Sequence, residues 1–439
     1  MPEKQIADET APSRSSWTGL WEMVTVWARI GFLSFGGPAA QIALMHKIIV
    51  EERRWLSERQ YLNALSFCML LPGPEAMQLA TYTGWRHRGT LGGLIAGLLF
   101  VLPGAAVILG LAMLYVSFGE TPAFTTIFLG IKAAVLVIVL EALLRVARKG
   151  LKRRDHWILA GLAFIALFFF SLPFPLVILA AAVYGFSFGR LTDEEPLTPD
   201  SRYPIGKTIR TICLWLAIWW GPIGLMALFD PGGILGSVGL FFSKLATVTF
   251  GGAYAVLAYM AQEAVQDLGW LSAAEMLDGL GLAETTPGPL ILVTEFVGFL
   301  AGARGPDGID LTYGFLAALV TLWATFAPCF LWVFAGAPYI EWLSTRPRLS
   351  GALSAISAAV VGVIMNLSVW FSMQVLFNEV TRSDTGPLTL WIPTLSSLDA
   401  VAALIAALAS YLILVRKWGI MRTLTICALG AVGMSALVS

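Results

Sequence analysis

Apolar residues in this chain come in long runs separated by short polar connections. The runs cover residues 17–45, 61–84, 91–116, 124–146, 157–188, 209–229, 234–260, 275–301, 309–335, 349–373, 397–415 and 419–438. Several, such as 91–116 and 349–373, exceed 20 residues with hardly a charge. A helix of about 20 apolar residues crosses roughly 30 Å of hydrocarbon. The stretch 157–188 is expected to be two short helices split at Pro173. The pattern predicts an all-α polytopic membrane protein with six segments in each half and a linking segment at 209–229.

Composition agrees with that class. Of 439 residues, 57% are hydrophobic and 13% charged, with a mean hydropathy of +0.77. An average soluble protein is about 25% charged. Lys and Arg total 28 and Asp and Glu total 28, so no nucleic-acid partner is implied. The first 16 residues are polar and read as a disordered tail without the pattern of a cleavable signal. Cys68, Cys213, Cys329 and Cys427 are scattered and form no CxxC pair, so neither a disulfide framework nor a metal site is expected. His46, His87 and His156 lie near segment ends beside basic residues and read as interfacial.

The two halves repeat one another. Adding 215 maps residues 34–74 onto 249–289 without a gap, and 15 of the 41 positions are identical. Phe35-Gly36-Gly37 falls on Phe250-Gly251-Gly252, Trp55-Leu56-Ser57 on Trp270-Leu271-Ser272, and Pro72-Gly73-Pro74 on Pro287-Gly288-Pro289. Duplicated membrane halves with Gly/Pro interruptions at matching positions mark a secondary transporter. The division expected is a tail at 1–16, a first repeat at 17–190, a loop and linking segment at 191–233, and a second repeat at 234–439.

Charge in the connections gives orientation. Residues 145–154 hold six Lys/Arg and 190–210 hold four, which places both on the cytoplasmic side. The connection 46–60 carries Lys47, Arg53, Arg54 and Arg59, whereas its equivalent at 261–275 carries no Lys or Arg. The uncharged turn at Pro173 corresponds to the basic turn at 416–422. Basic and non-basic connections thus exchange between the halves, as inverted-topology repeats require. Both flanks of 61–84 are basic, so the simpler reading is that each PGP segment enters and leaves on the same side. The same parity makes the FGG segments broken hairpins. Irregular backbone at membrane depth is tolerated only where protein buries it or water reaches it.

The chemistry-bearing candidates cluster at these breaks. Gly36, Gly37, Gly251 and Gly252 let the backbone unwind, and a helix restarting there turns free N–H groups toward an anion. Ser34 and Thr249 add a hydroxyl in each half, and Gln41 follows the first break. Arg29 and Lys244 each stand five residues before a break inside an apolar run, where a charge is costly and often faces a water-filled path. Lys132 lies nine residues before Glu141, too far for direct pairing along a helix, and Ser357 and Asn366 take their places in the second half. Pro72, Gly73 and Pro74, with Thr286, Pro287, Gly288 and Pro289, force the chain to turn. Gln78 follows the first of these turns. Glu75 directly follows it too and is the candidate proton-coupling acid; helix capping is the plain alternative. No nucleophile–base pair, nucleotide loop or metal-ligand cluster is visible, so an enzyme is not expected.

These residues resemble the chromate ion transporter family in its long, two-domain form. The resemblance rests on FGGP at 35–38, RRWL at 53–56, LPGPEAMQLATYTGW at 71–85, FVLPG at 100–104 and GIKAAV at 130–135. In the second half it rests on TFGGAYAVL, GWL, TTPGPL and EFVGFLAG. It implies an inner-membrane carrier that expels chromate using the proton motive force and needs no cofactor. The expected partners are a tetrahedral oxyanion and the lipid bilayer; a homodimer is permitted. The rival readings are a carrier for sulfate or another oxyanion, a passive anion channel, and a non-transporting structural or sensory membrane protein.

Overall fold

Glycine and proline punctuate the apolar runs, and the helices stop where they fall. The computed structural model describes residues 17–119, 121–188, 205–230, 232–250, 252–305, 308–340 and 347–438. The tail expected at 1–16 lies outside the described residues. The run 17–45 is cut into α1 (Trp17–Leu33) and α2 (Gly37–His46), which continues as a π-turn to Glu52. The run 61–84 is cut into α3 (Glu58–Cys68) and the start of α4 (Glu75–Phe118). Within α4 the chain reverses at Arg88 and Gly89, where Gly89 has φ +64°. Then follow α5 (Pro122–Gly150), α6 (Arg154–Phe168), α7 (Phe174–Phe188) and the linking α8 (Ile205–Phe229).

The second half repeats this order. It contains α9 (Ile234–Val248), α10 (Ala253–Met260, with a π-turn to Asp267), α11 (Ala273–Thr285) and α12 (Val293–Ala303). After the two-residue strands β1 (Arg304–Gly305) and β2 (Gly308–Ile309) come α13 (Leu311–Gly336) and α14 (Pro347–Leu376). An antiparallel hairpin, β3 (Val380–Thr385) and β4 (Leu388–Pro393), precedes α15 (Ala400–Ser410) and α16 (Ile420–Val438). The sequence pattern placed no element between the apolar runs 349–373 and 397–415, where β3 and β4 lie. Ser57 and Ser272 start α3 and α11 through the same capping box, with Gln60 and Glu275 as the third residue.

Each break is the tip of a helical hairpin. At the mouth of the α3–α4 hairpin, Trp55 stacks on His87 at 4.5 Å. At the mouth of the α11–α12 hairpin, Arg304 pairs with Glu275. Arg53 meets Glu22 at 2.6 Å where α2 returns past the start of α1. Contacts between the two ends of a broken segment are what an element entering and leaving by one side requires.

The second arm of α4 acts as a ruler. Near its start, Gly92 packs so closely on Gly84 that a methyl group at either would lie 2.2 Å from the other's carbonyl oxygen. Midway, a methyl at Gly104 would lie 2.2 Å from the Pro287 oxygen, at the tip of the second-half hairpin. Near its end, Tyr115 donates to Asp278 at 2.8 Å, one turn from the mouth of that hairpin. The two PGP hairpins therefore point in opposite directions along one helix.

Among the described residues, five helices are long and apolar enough to cross a membrane: Glu75–Phe118, Pro122–Gly150, Ile205–Phe229, Leu311–Tyr339 and Arg348–Leu376. Small residues let them approach. Gly130 of α5 packs on the backbone of Cys427 in α16, and Gly185 of α7 packs on Gly351 of α14. The outer faces of α7 and α8 expose Leu179, Phe188, Leu228 and Phe229, as a lipid-facing surface does. His156 differs from its interfacial reading. It is buried, contacts the Gly150 carbonyl at 2.8 Å and Ser354 at 3.4 Å, and so ties the turn before α6 to α14.

Candidate functional site

A backbone break in a dry interior leaves N–H and C=O groups unpaired, at several kcal/mol each. Here each half completes the other's breaks. The Gly288 N–H donates to the Ser34 carbonyl at 2.8 Å, and the Gly73 N–H donates to the Thr249 carbonyl at 3.0 Å. These two bonds are equivalent under the 215-residue shift, so the SFGG tip of one half caps the PGP tip of the other, reciprocally. Gly73 and Gly288 hold φ at +112° and +90°, a region that residues with a Cβ rarely adopt. The same repetition explains Gly104: it leaves room for the second-half tip, as Cys329 abuts the first-half tip at Gly73.

The polar side chains expected around the breaks are mostly occupied. Ser34 Oγ donates to the Ile30 carbonyl at 2.7 Å and Thr249 Oγ1 to the Leu245 carbonyl at 2.5 Å, each satisfying the end of its own helix. Thr286 Oγ1 does likewise to Ala283 at 3.2 Å. Gln41 Nε2 reaches the Gly288 carbonyl at 2.6 Å and the Ser34 carbonyl at 3.4 Å, and so fastens the junction between halves. Gln78 Nε2 holds the Pro72 carbonyl at 2.6 Å. Pro74 and Pro289 flank their glycines and introduce the next helical turns, with Glu75 opening α4. Gly36, Gly37 and Gly252 adopt positive φ at the FGG tips; Gly251 lies outside the described residues.

The three expected cations are not gathered at this junction. Arg29, 59% exposed, faces Glu52 at 3.8 Å on its own hairpin. Lys244, 50% exposed, pairs with Glu263 at 3.2 Å on its own hairpin. Lys132 crosses between halves to Asp278 at 3.5 Å, where Tyr115 also bonds, making a buried seam of α4, α5 and α11.

Other cations take the central place. A cavity of about 990 Å³ reaches Phe35 and Gly36 at the first break. Its walls carry Arg145, Arg148 and Lys149 from the end of α5, with Lys417 and Arg422 from the turn into α16. Two acids share it: Glu141, bonded to Arg145, and Glu284, which accepts from the Tyr254 hydroxyl at 2.8 Å. Five cations against two carboxylates make a basic vestibule, and low-dielectric walls strengthen its field for an anion. The sequence reading used these cations only to orient the chain. The signal that could have found them is that 145–154 and 416–422, distant in sequence, were assigned to the same side.

A second pocket has a related position in the other half. It is lined by Ser171, Gln262, Gln266, Asn366, Trp370 and Trp391 among others, and its volume is about 20 Å³. Gln262 closes it by donating to the Leu172 carbonyl at 3.0 Å and accepting from the Phe174 N–H at 3.1 Å. Among the described residues no group of three or more His, Cys, Asp or Glu could hold a metal ion.

Long apolar helices with broken hairpins meeting between duplicated halves, beside a charged cavity, define a multi-pass membrane transport protein. The chain belongs to the chromate transporter family, whose pattern it matches over residues 21–186 and 236–434. It is 31% identical over 348 residues to the chromate transport protein of Pseudomonas aeruginosa, covering 76% of this chain and 77% of that one. It is 29% identical over 364 residues to the probable chromate transport protein of Synechococcus elongatus, covering 82% and 87%. The chromate transport protein of Cupriavidus metallidurans is 28% identical over 356 residues, covering 81% and 82%. These relatives are named as transport proteins, not enzymes. No solved structure matches the chain.

Proposed function

We propose that this protein is a secondary active carrier that exports chromate, or an oxyanion of the same shape and charge, across the bacterial inner membrane. Its two halves are inverted repeats that alternate access to the junction of the four breaks. The observation that carries this reading is the basic cavity that leads to Gly36 at that junction. An anion drawn into it would meet the restarting helix α2 and the PGP turns, around Ser34, Gly36, Gly37, Gln41, Pro72, Gly73, Pro74 and Gln78. Thr249, Gly252, Thr286, Pro287, Gly288 and Pro289 would face it from the other half. Lys132, Arg29 and Lys244 add charge farther out, and Glu75 handles protons on the first-half side.

The driving force follows from charge. Moving one elementary charge through 100 mV changes its free energy by about 2.3 kcal/mol, so a dianion leaving a negative interior gains about 4.6 kcal/mol. The proton motive force would thus favour export and resistance to the ion.

The test is uptake of labelled chromate and sulfate into inverted membrane vesicles, with and without an uncoupler. Energised chromate accumulation that collapses with the uncoupler supports the carrier. Flux that follows the membrane potential alone, without saturating and without any response to the pH gradient, points to a passive channel. Sulfate accumulating in preference to chromate reassigns the substrate.

A further inference from the structure

One buried acid has no part in the scheme so far. Glu284 sits three residues before Pro287 of the second PGP turn, with its side chain almost wholly buried yet lining the basic cavity. Its carboxylate is fixed by Tyr254, which belongs to α10 just beyond the second FGG break. Glu284 therefore touches both interrupted segments of the second half and the vestibule that contains Gly36 of the first.

The groups around it can be stated by element. From α10 comes Tyr254. From α5 come Glu141 and Arg145, already paired with each other, then Arg148 and Lys149. From the turn into α16 come Lys417 and Arg422. An arriving dianion would share this cavity with Glu141 and Glu284, giving two carboxylates and two further negative charges to five cations. Like charges that close disfavour one another's ionised form. Glu141 keeps its own arginine, so Glu284 is the acid left to respond.

We propose that Glu284 is a proton-binding residue of this carrier, taking up a proton from the cavity as the oxyanion binds. The proton passes from cavity water to the free carboxylate oxygen. Tyr254 continues to hold the other oxygen, and the neutral acid can donate its O–H toward the anion. Binding of anion and proton then assist each other, and that coupling is reciprocal. Because Glu284 lies at the PGP tip, its change of charge acts where the two halves are joined. The inference rests on the oxyanion-carrier reading.

The experiment measures proton uptake on adding chromate to purified protein in weakly buffered detergent solution, with chromate binding followed in the same samples. Wild type should take up about one proton per anion bound, and its affinity should fall about tenfold per pH unit where Glu284 ionises. The Glu284→Gln variant should bind chromate without that uptake, its affinity changing with pH only as the anion itself ionises. Subtracting one from the other removes the anion's own buffering. Glu284→Asp keeps a carboxyl and should keep the uptake with a displaced midpoint; Tyr254→Phe should displace it too. Uptake equal to wild type in Glu284→Gln overturns the proposal. Should Glu284→Gln not insert, unchanged midpoints in both other variants overturn it instead. Wild-type protein that binds no chromate would refute the carrier reading, which is a different outcome.

Discussion

The cavity that ends at Gly36 and the pocket beside Gln262 occupy related places in the two halves, yet one holds about 990 Å³ and the other about 20 Å³. A shift of 225 residues maps Glu141 onto Asn366 and Arg145 onto Trp370. Where the first half carries a charged pair, the second carries an amide and an indole. Charges need water or partners and keep a space open, whereas Trp370 fills it and stands against Trp391 of β4 at 6.3 Å. Duplication supplied one scaffold twice, and substitution made one side a basic vestibule and the other a sealed wall.

Five substitutions test that contrast. The largest effect is expected at the sealed side. Trp370→Ala removes a buried ring and should cost about 3–5 kcal/mol of stability, read as a lowered unfolding temperature in detergent. The same change should let water-soluble thiol reagents reach a cysteine placed at Gln266; continued protection would mean that Trp370 is not the closure.

Next comes the seam between halves. Asp278→Ala strands Lys132, and losing one partner of a buried pair costs about 3 kcal/mol or more. Lys132 is 22% exposed, which favours the low end. Replacing both residues by apolar ones should restore most of the loss in thermal unfolding.

On the open side, Arg145→Glu should cut chromate transport about 30-fold, equivalent to ~2 kcal/mol for a lost contact to a charged group. Vesicle uptake with unchanged protein abundance checks it, and transport at the wild-type rate would remove the vestibule from the pathway. The smallest effects belong to Arg29→Gln and Lys244→Gln. Exposed pairs of this kind contribute at most about 1 kcal/mol, so transport should fall no more than about fivefold. Complete loss in either variant would shift the route to the flanks of the hairpins.

Much of this was legible before any coordinates. The apolar runs located the helices, and the split at Pro173 fell where the structure turns between α6 and α7. The FGG and PGP repeats located all four tips, because glycine at positive φ and paired prolines act through local sterics. Contact chemistry was less legible. The local bonds of Ser34, Thr249 and Thr286 to carbonyls of their own helices were not read, although a hydroxyl one turn from a frayed end readily finds that carbonyl. Arg29 and Lys244 each lie in an apolar run, and the acid each one reaches, contributed by the returning arm of its hairpin, could not be read from that run. The β3–β4 hairpin was missed because β4 exposes Leu388, Leu390 and Ile392 and buries Thr389, the reverse of the alternation that marks a strand in a sequence.

The membrane class, the duplication and the places of the FGG and PGP breaks were readable from the chain alone, because they depend on hydrophobic length and on the local behaviour of glycine and proline. Which break satisfies which, and which cations share a cavity, emerged only once the chain was folded. Those are encounters between residues hundreds of positions apart, and their free energy comes from exclusion of water at a junction that neither half forms alone.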